Sequence, residues 1–194
     1  MKELTKRQKE IIEASIQLIS KKSIQGLTIK NLAIQLGVTE GALYRHFRSK
    51  FEILLAILSG IEIEAEMALK KVCASNEAPM QMIENIFLHR FSRFVENPAV
   101  AAVIFSESIF QNDKQLSKKV FELIGKHEEV LTCIISKGQE SGDFRNDIPC
   151  AHLVHIIIAS IRYLVAKWRA SEYNFDLVEQ GMVLLKNIKL LIKY

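Results

Sequence analysis

The period at which apolar residues recur constrains this chain most. Isoleucine is abundant and would suit strands, but the spacing is helical throughout. Ile29, Leu32, Ala33 and Leu36 fall at i, i+3, i+4 and i+7, and comparable stripes recur along the sequence between Thr, Gly, Asn and Pro signals. The chain is therefore expected to be all-α, with about nine helices and no strand.

Thr5-Lys6-Arg7-Gln8 offers a capping box for a helix over 6–22, with Ile11, Ile12, Ser15, Ile16 and Ile19 on one face. Thr28 can cap a short helix ending at Gly37, and Thr39 can cap a third carrying Leu43 and Phe47 inward. Ser49-Lys50-Phe51-Glu52 is a second capping box, opening a long helix to about Cys73 with Leu54, Ile57, Leu58, Ile61, Ala65, Ala68, Leu69 and Val72 on one stripe. Pro79 suits the first turn of the next helix, which runs to about Val95 and is ended by Asn97-Pro98. Helices over 99–111 and 114–141 follow, then a connector after Gly142, then apolar helices over 150–171 and 175–192.

With 194 residues, 49% of them apolar, and only three prolines and eight glycines, the chain can bury a sizeable core as one ordinary domain or two small ones. The charged 25% is mixed with apolar residues, which argues against long disordered or low-complexity tracts. The longest run without Asp, Glu, Lys or Arg, Ile148 to Ile161, falls short of the roughly 20 residues of a spanning helix. Met1-Lys2-Glu3-Leu4-Thr5-Lys6 lacks the apolar core of a secretory signal. No membrane partner and a cytoplasmic location are expected. Cys73, Cys133 and Cys150 are odd in number and form no Cys-x-x-Cys pair, so they read as reduced core thiols.

Charge is concentrated. Residues 1–50 hold ten Lys or Arg against Glu3, Glu10, Glu13 and Glu40, a balance of +6 in a chain whose total is +4, so the remainder carries −2. A compact basic segment on a mildly acidic body suits a module that meets polyanions, although a solvated helix face would look the same. Within it, residues 28–47 read as short helix, glycine turn, short helix, the arrangement in which the second helix presents its first residues to base edges in the major groove. Gly41 and Ala42 permit close approach, and Tyr44, Arg45 and His46 supply donors. Lys50 stands at the start of the next helix, where its charge and the free amides can hold one phosphate together.

The run Thr28-Ile29-Lys30-Asn31-Leu32-Ala33, then Gly37-Val38-Thr39-Glu40-Gly41-Ala42-Leu43-Tyr44-Arg45-His46-Phe47, then Ser49-Lys50, resembles the DNA-binding domain of TetR-family transcriptional regulators. The resemblance is close over residues 6 to about 58, and looser beyond, where Gly142-Asp143-Phe144-Arg145 precedes the last two helices. It implies a helix-turn-helix DNA-binding domain over 1–50 and a helical ligand-binding and dimerisation domain over 51–194. It also implies that Thr28, Tyr44, His46 and Lys50 contact phosphates while Thr39, Glu40, Gly41 and Ala42 face bases. Ser23 departs from the glycine usual at the end of the first helix.

One such module is too small for tight specific binding, and two related by a two-fold axis address successive major-groove faces. The run Leu153 to Ile161 and the broad stripe on the last helix favour a four-helix bundle between two subunits. Val154, Ile157, Ile158, Ile161, Val165, Leu177, Gly181, Leu184, Leu185 and Ile188 are its candidate contacts, the alternative being the core of one subunit. Met67, Phe87, Phe91, Phe105, Phe110 and Trp168 could line a pocket for a small apolar or amphipathic ligand, or be plain core. Glu107 could orient that ligand or face solvent. His152 and His155, and His127 before Glu128 and Glu129, lack a third ligand in register, so neither metal nor cofactor is expected. No phosphate loop, Gly-x-Ser-x-Gly elbow or His-Glu-x-x-His motif marks a catalytic centre, and the chain is not expected to be an enzyme.

These readings converge on a ligand-responsive DNA-binding transcriptional regulator, a repressor binding a palindromic double-stranded DNA operator as a homodimer. Two alternatives stay open: a nucleoid-associated cell-division inhibitor of the same architecture, and a helical small-molecule-binding protein without operator function.

Overall fold

A computed structural model describes residues 4–22, 24–105 and 113–193. Among these the elements are nine helices and no strand: α1 (Lys6–Lys22), α2 (Ile29–Leu36), α3 (Glu40–Tyr44), α4 (Lys50–Cys73), α5 (Pro79–Glu96), α6 (Pro98–Ile104), α7 (Lys114–Glu140), α8 (Cys150–Ala170) and α9 (Leu177–Ile192). One correction to the expected boundaries has a local cause. The third helix stops at Tyr44 instead of Phe47, because the His46 and Phe47 amides both turn back to the Leu43 carbonyl. Helix α6 is described over Pro98–Ile104, and residues 106–111 of the segment expected to be helical lie outside the described residues.

The chain packs as two compact units: Met1–Glu62 with Pro98–Phe121, and Ile63–Asn97 with Glu122–Tyr194. In the first, α1 turns Ile11, Ala14, Ser15, Leu18 and Ile19 inward, so its buried face is rotated from the Ile12 and Ile16 side expected. The buried Ser15 hydroxyl stays satisfied by donating to the Ile11 carbonyl at 2.7 Å. Helix α6 is apolar all round, with Ala99, Val100, Ala101, Ala102 and Val103 all buried, and it packs beside α1.

In the second unit α5 packs most extensively against α9, and α8 also packs on α9. Gly181 of α9 makes room for the ring of Phe91 of α5, since a methyl there would fall on the ring carbons. Gly138 does the same for Phe144. The connector after α7 is held tightly: Gly142 takes a φ of +78°, Phe144 is buried, and the Arg145 amide donates to the Ile192 carbonyl at 2.9 Å. By length and composition α8 would be able to cross a membrane, which its charge-free run understated. The packing of Leu153, Val154, Ile157, Ile161, Val165 and Trp168 into the core of this unit accounts for that apolarity.

Candidate functional site

The capping chemistry read from the sequence sets up the edge that carries the candidate residues. Thr5 and Gln8 form a reciprocal box, with the Gln8 amide donating to Thr5 Oγ1 at 3.2 Å and the Thr5 amide to Gln8 Oε1 at 3.0 Å. The Gln8 side chain reaches further and donates from Nε2 to the His46 carbonyl at 3.2 Å, pinning α1 to the end of the recognition segment. Nothing in the sequence separates this second role from capping.

Thr28 caps α2 by accepting from the Asn31 amide at 3.1 Å, and Asn31 Nδ2 donates to the Gly26 carbonyl at 2.8 Å. Gly37 takes the left-handed conformation, φ +65°, while the Val38 amide donates to the Ala33 carbonyl at 3.0 Å. That turn delivers Thr39, whose Oγ1 accepts from the Ala42 amide at 3.2 Å, directly onto α3. Leu43 and Phe47 are buried and fix the roll of α3, leaving Thr39, Glu40, Gly41, Tyr44 and Arg45 exposed and Ala42 half-buried. Most of the residues expected to meet bases or phosphates therefore lie open to solvent along one short element.

At the start of α4 the Glu52 amide donates to Ser49 Oγ at 3.3 Å. The Glu52 carboxylate accepts from the Arg48 amide at 2.7 Å, one residue earlier than in a standard capping box. Lys50 Nζ donates to the Ile24 carbonyl at 2.8 Å, tying this helix to the segment leading to Thr28. Burial lowers the Lys50 pKa. His46 is half-buried. Arg48 and Lys30 add exposed positive charge on the same unit, and only the charge count pointed to them.

Of the candidate interface residues, Val154, Ile157, Ile161, Val165, Leu177, Gly181, Leu185 and Ile188 are buried within the chain itself, and Ile158 and Leu184 are half-buried. The exposed large apolar residues of these helices are different ones: Ile156 and Tyr163 on α8, and Val183, Leu190 and Leu191 on α9. Among the candidate pocket residues, Phe87 and Phe91 are fully buried with ring centroids 5.7 Å apart in an edge-to-face arrangement. Trp168 is buried against Tyr173 at 4.6 Å, Phe105 is half-buried and Met67 is 65% exposed. Phe110, Glu107 and Ser23 lie outside the described residues.

His127 in the second unit is half-buried, with Nδ1 at 2.8 Å from the Leu123 carbonyl. Burial, reinforced by the Arg90 charge, pushes its pKa down to about 4 against the opposing effect of that carbonyl. Arg90, itself half-buried, is lowered by burial to about 10. The thiols are not all core groups as expected: Cys73 is exposed, and Cys133 and Cys150 are half-buried.

Residues 11–57 match the family described as bacterial regulatory proteins, tetR family, and residues 62–193 match the YsiA-like protein C-terminal region. The chain is 22% identical over 182 residues to the fatty acid metabolism regulator protein of Bacillus subtilis, covering 92% of this chain and 91% of that one. It is 26% identical over 176 residues to the nucleoid occlusion factor SlmA of Shewanella amazonensis, covering 89% and 88%. In fold it is similar to the transcriptional regulator FadR from Bacillus subtilis in complex with stearoyl-CoA, with a TM-score of 0.79 at 20% identity over 93% of this chain and 96% of that one. The ketosteroid transcriptional regulator KstR2 of Mycobacterium tuberculosis superposes with a TM-score of 0.81 at 18% identity, covering 99% and 97%.

Proposed function

The chain belongs to the TetR family of bacterial regulatory proteins and is a ligand-responsive DNA-binding transcriptional regulator, and on that premise we propose that it represses by holding a palindromic operator as a homodimer. One observation carries the reading: an exposed α3, capped by Thr39 and rolled by buried Leu43, lies between the α2 cap Thr28 and the α4 start Lys50. In this arrangement Thr39, Glu40, Gly41 and Ala42 face base edges. Thr28, Tyr44, Arg45, His46 and Lys50 hold phosphates, and residues 1–50 are the DNA-reading part. Residues 51–194 bind ligand and dimerise. The cell-division alternative is not favoured: residues 62–193 match the YsiA-like C-terminal region, and the similar solved structures are described as transcriptional regulators.

The exposed pairs Ile156 with Tyr163, and Val183 with Leu190, give α8 and α9 an apolar outer stripe that a second copy of the chain would cover. Half-buried Ile158 and Leu184 border it, while the more deeply buried candidates hold the subunit together. The ligand is an amphiphile with a long apolar chain, by analogy with the stearoyl-CoA held by the Bacillus subtilis FadR. It acts by favouring one position of α4, whose first residue is Lys50, and so changes the separation of the two recognition helices.

Selection of bound fragments from random DNA tests the reading first, and a recovered palindrome is the expected result. On that operator, Lys50→Gln should lower the salt slope of binding by about one unit and weaken all DNA alike. An unchanged slope, or recovery of no preferred sequence, would overturn it.

A further inference from the structure

The last turn of α4 and the middle of α7 bring two thiols together across 60 residues of sequence: Cys73 Sγ lies 2.8 Å from Cys133 Sγ. A disulfide needs about 2.05 Å, so bonding requires the sulfurs to approach by less than about 1 Å. The two differ in character. Cys73 is exposed and open to a solution oxidant, whereas Cys133 is half-buried. Burial, with the hydrogen bond to Cys73 adding to it, pushes the Cys133 thiol up to about 11; nearby Lys137 opposes this and Glu140 reinforces it. Lys137 Nζ also donates to the Cys73 carbonyl at 3.0 Å, holding α7 against the end of α4. Among the described residues no group of three His, Cys, Asp or Glu is placed to hold a metal.

We infer that Cys73 and Cys133 form a two-electron oxidation site, at which a peroxide converts the thiol pair into an intrachain disulfide tying α4 to α7. The Cys73 thiolate attacks a peroxide oxygen; the O–O bond breaks, giving Cys73 sulfenic acid and, after proton uptake, one water. Cys133 sulfur then attacks Cys73 sulfur as its proton passes to the leaving hydroxyl. The S–O bond breaks and a second water departs. The two thiols are oxidised by two electrons and hydrogen peroxide is reduced to two waters. A dithiol reductant reverses the step. Nothing in this chemistry depends on operator binding, so it stands or falls separately from the regulatory reading.

The full chain is exposed to excess hydrogen peroxide, then alkylated and mapped by mass spectrometry. Cys73 and Cys133 are expected to lose alkylation together, to appear in one cross-linked peptide of the monomer, and to be released by dithiothreitol. Cys150, half-buried beside Ser136 Oγ at 3.4 Å, should stay alkylatable and serves as the internal control. In Cys133→Ser, whose folding is checked by its helical circular dichroism, the sulfenic acid has no resolving thiol, and dimedone trapping at Cys73 should rise by about tenfold or more. A Cys73–Cys73 link between chains, a bridge through Cys150, or sulfinic acid at Cys73 without a cross-link would each overturn the inference, as would equal dimedone trapping in the folded variant. Should that variant not fold, the wild-type cross-link map decides alone.

Discussion

Gly181→Ala separates two roles that the sequence allowed for the last helix. At an ordinary helix interior this change would stabilise by about 1 kcal/mol, because alanine loses less backbone freedom on folding. Here the new methyl would fall on the ring carbons of Phe91. That ring cannot step aside, since Phe91 is fully buried and meets Phe87 edge-on at 5.7 Å. Overpacking of this kind costs about 1–3 kcal/mol, and overlap with several ring atoms places it at the upper end, leaving a net loss of about 1–2 kcal/mol. For a chain of this length the thermal midpoint should fall by about 3–8 °C, measured by circular dichroism. Phe91→Leu should relieve the collision, so the double variant loses less than the sum of the singles, with a coupling of about 1 kcal/mol. Oligomeric state should not change, because Gly181 is filled from within its own chain. A raised midpoint, strict additivity with Phe91→Leu, or dissociation of a dimer without loss of stability would refute the packing argument.

Three further outcomes follow from the same geometry. Charge placed on the outer stripe, as in Ile156→Lys with Leu190→Lys, should convert dimer to folded monomer in sedimentation experiments, because both residues are exposed in the chain; an unchanged dimer would remove this face from the interface. For His127, a folded pKa of about 4 below the unfolded value of about 6.5 means that the unfolded chain binds the extra proton. Its contribution is complete above pH 6.5 and is lost as pH falls towards 4, by up to about 3 kcal/mol. Denaturant unfolding at pH 7 and 5 should therefore show a smaller acid loss in His127→Gln, and equal losses would contradict its burial. Glu40→Ala should change which operator is preferred while leaving the salt slope nearly intact, tested by repeating the fragment selection; an unchanged preference would move base contact off the start of α3.

The N-terminal architecture was legible because each helix there carries its own punctuation. Thr5, Thr28, Thr39 and Ser49 all accept the amide three residues on, and Gly37 takes the positive φ that the tight turn needs. What escaped were tertiary uses of the same groups. Gln8 reaching the His46 carbonyl and Lys50 reaching the Ile24 carbonyl are contacts 38 and 26 residues apart, and no local pattern encodes them. The turn between α8 and α9 was equally silent, since Glu172 and Tyr173 adopt φ of +55° and +66° without glycine, supported by Tyr173 against Trp168.

The interface was the least legible part, and the reason is geometric. A period of 3.6 marks the residues that share a face but not what covers that face. On α8 the stripe Leu153, Ile157, Ile161, Val165 and Trp168 fits either a core or an interface, and packing within the chain takes it for the core. Ile156 and Tyr163 form a second, sparser row that a single-stripe reading discards as polar-side noise. A helix that must satisfy its own subunit and also meet a twin needs two apolar rows. The deeper row stabilises the fold, and in the proposed dimer the exposed one meets the twin. α9 also has two sides, with Leu177, Gly181, Leu185, Ile188 and Ile192 inside and Val183, Leu190 and Leu191 outside. Both helices thus keep large apolar residues outside that core, and these are the ones the proposed dimer would cover.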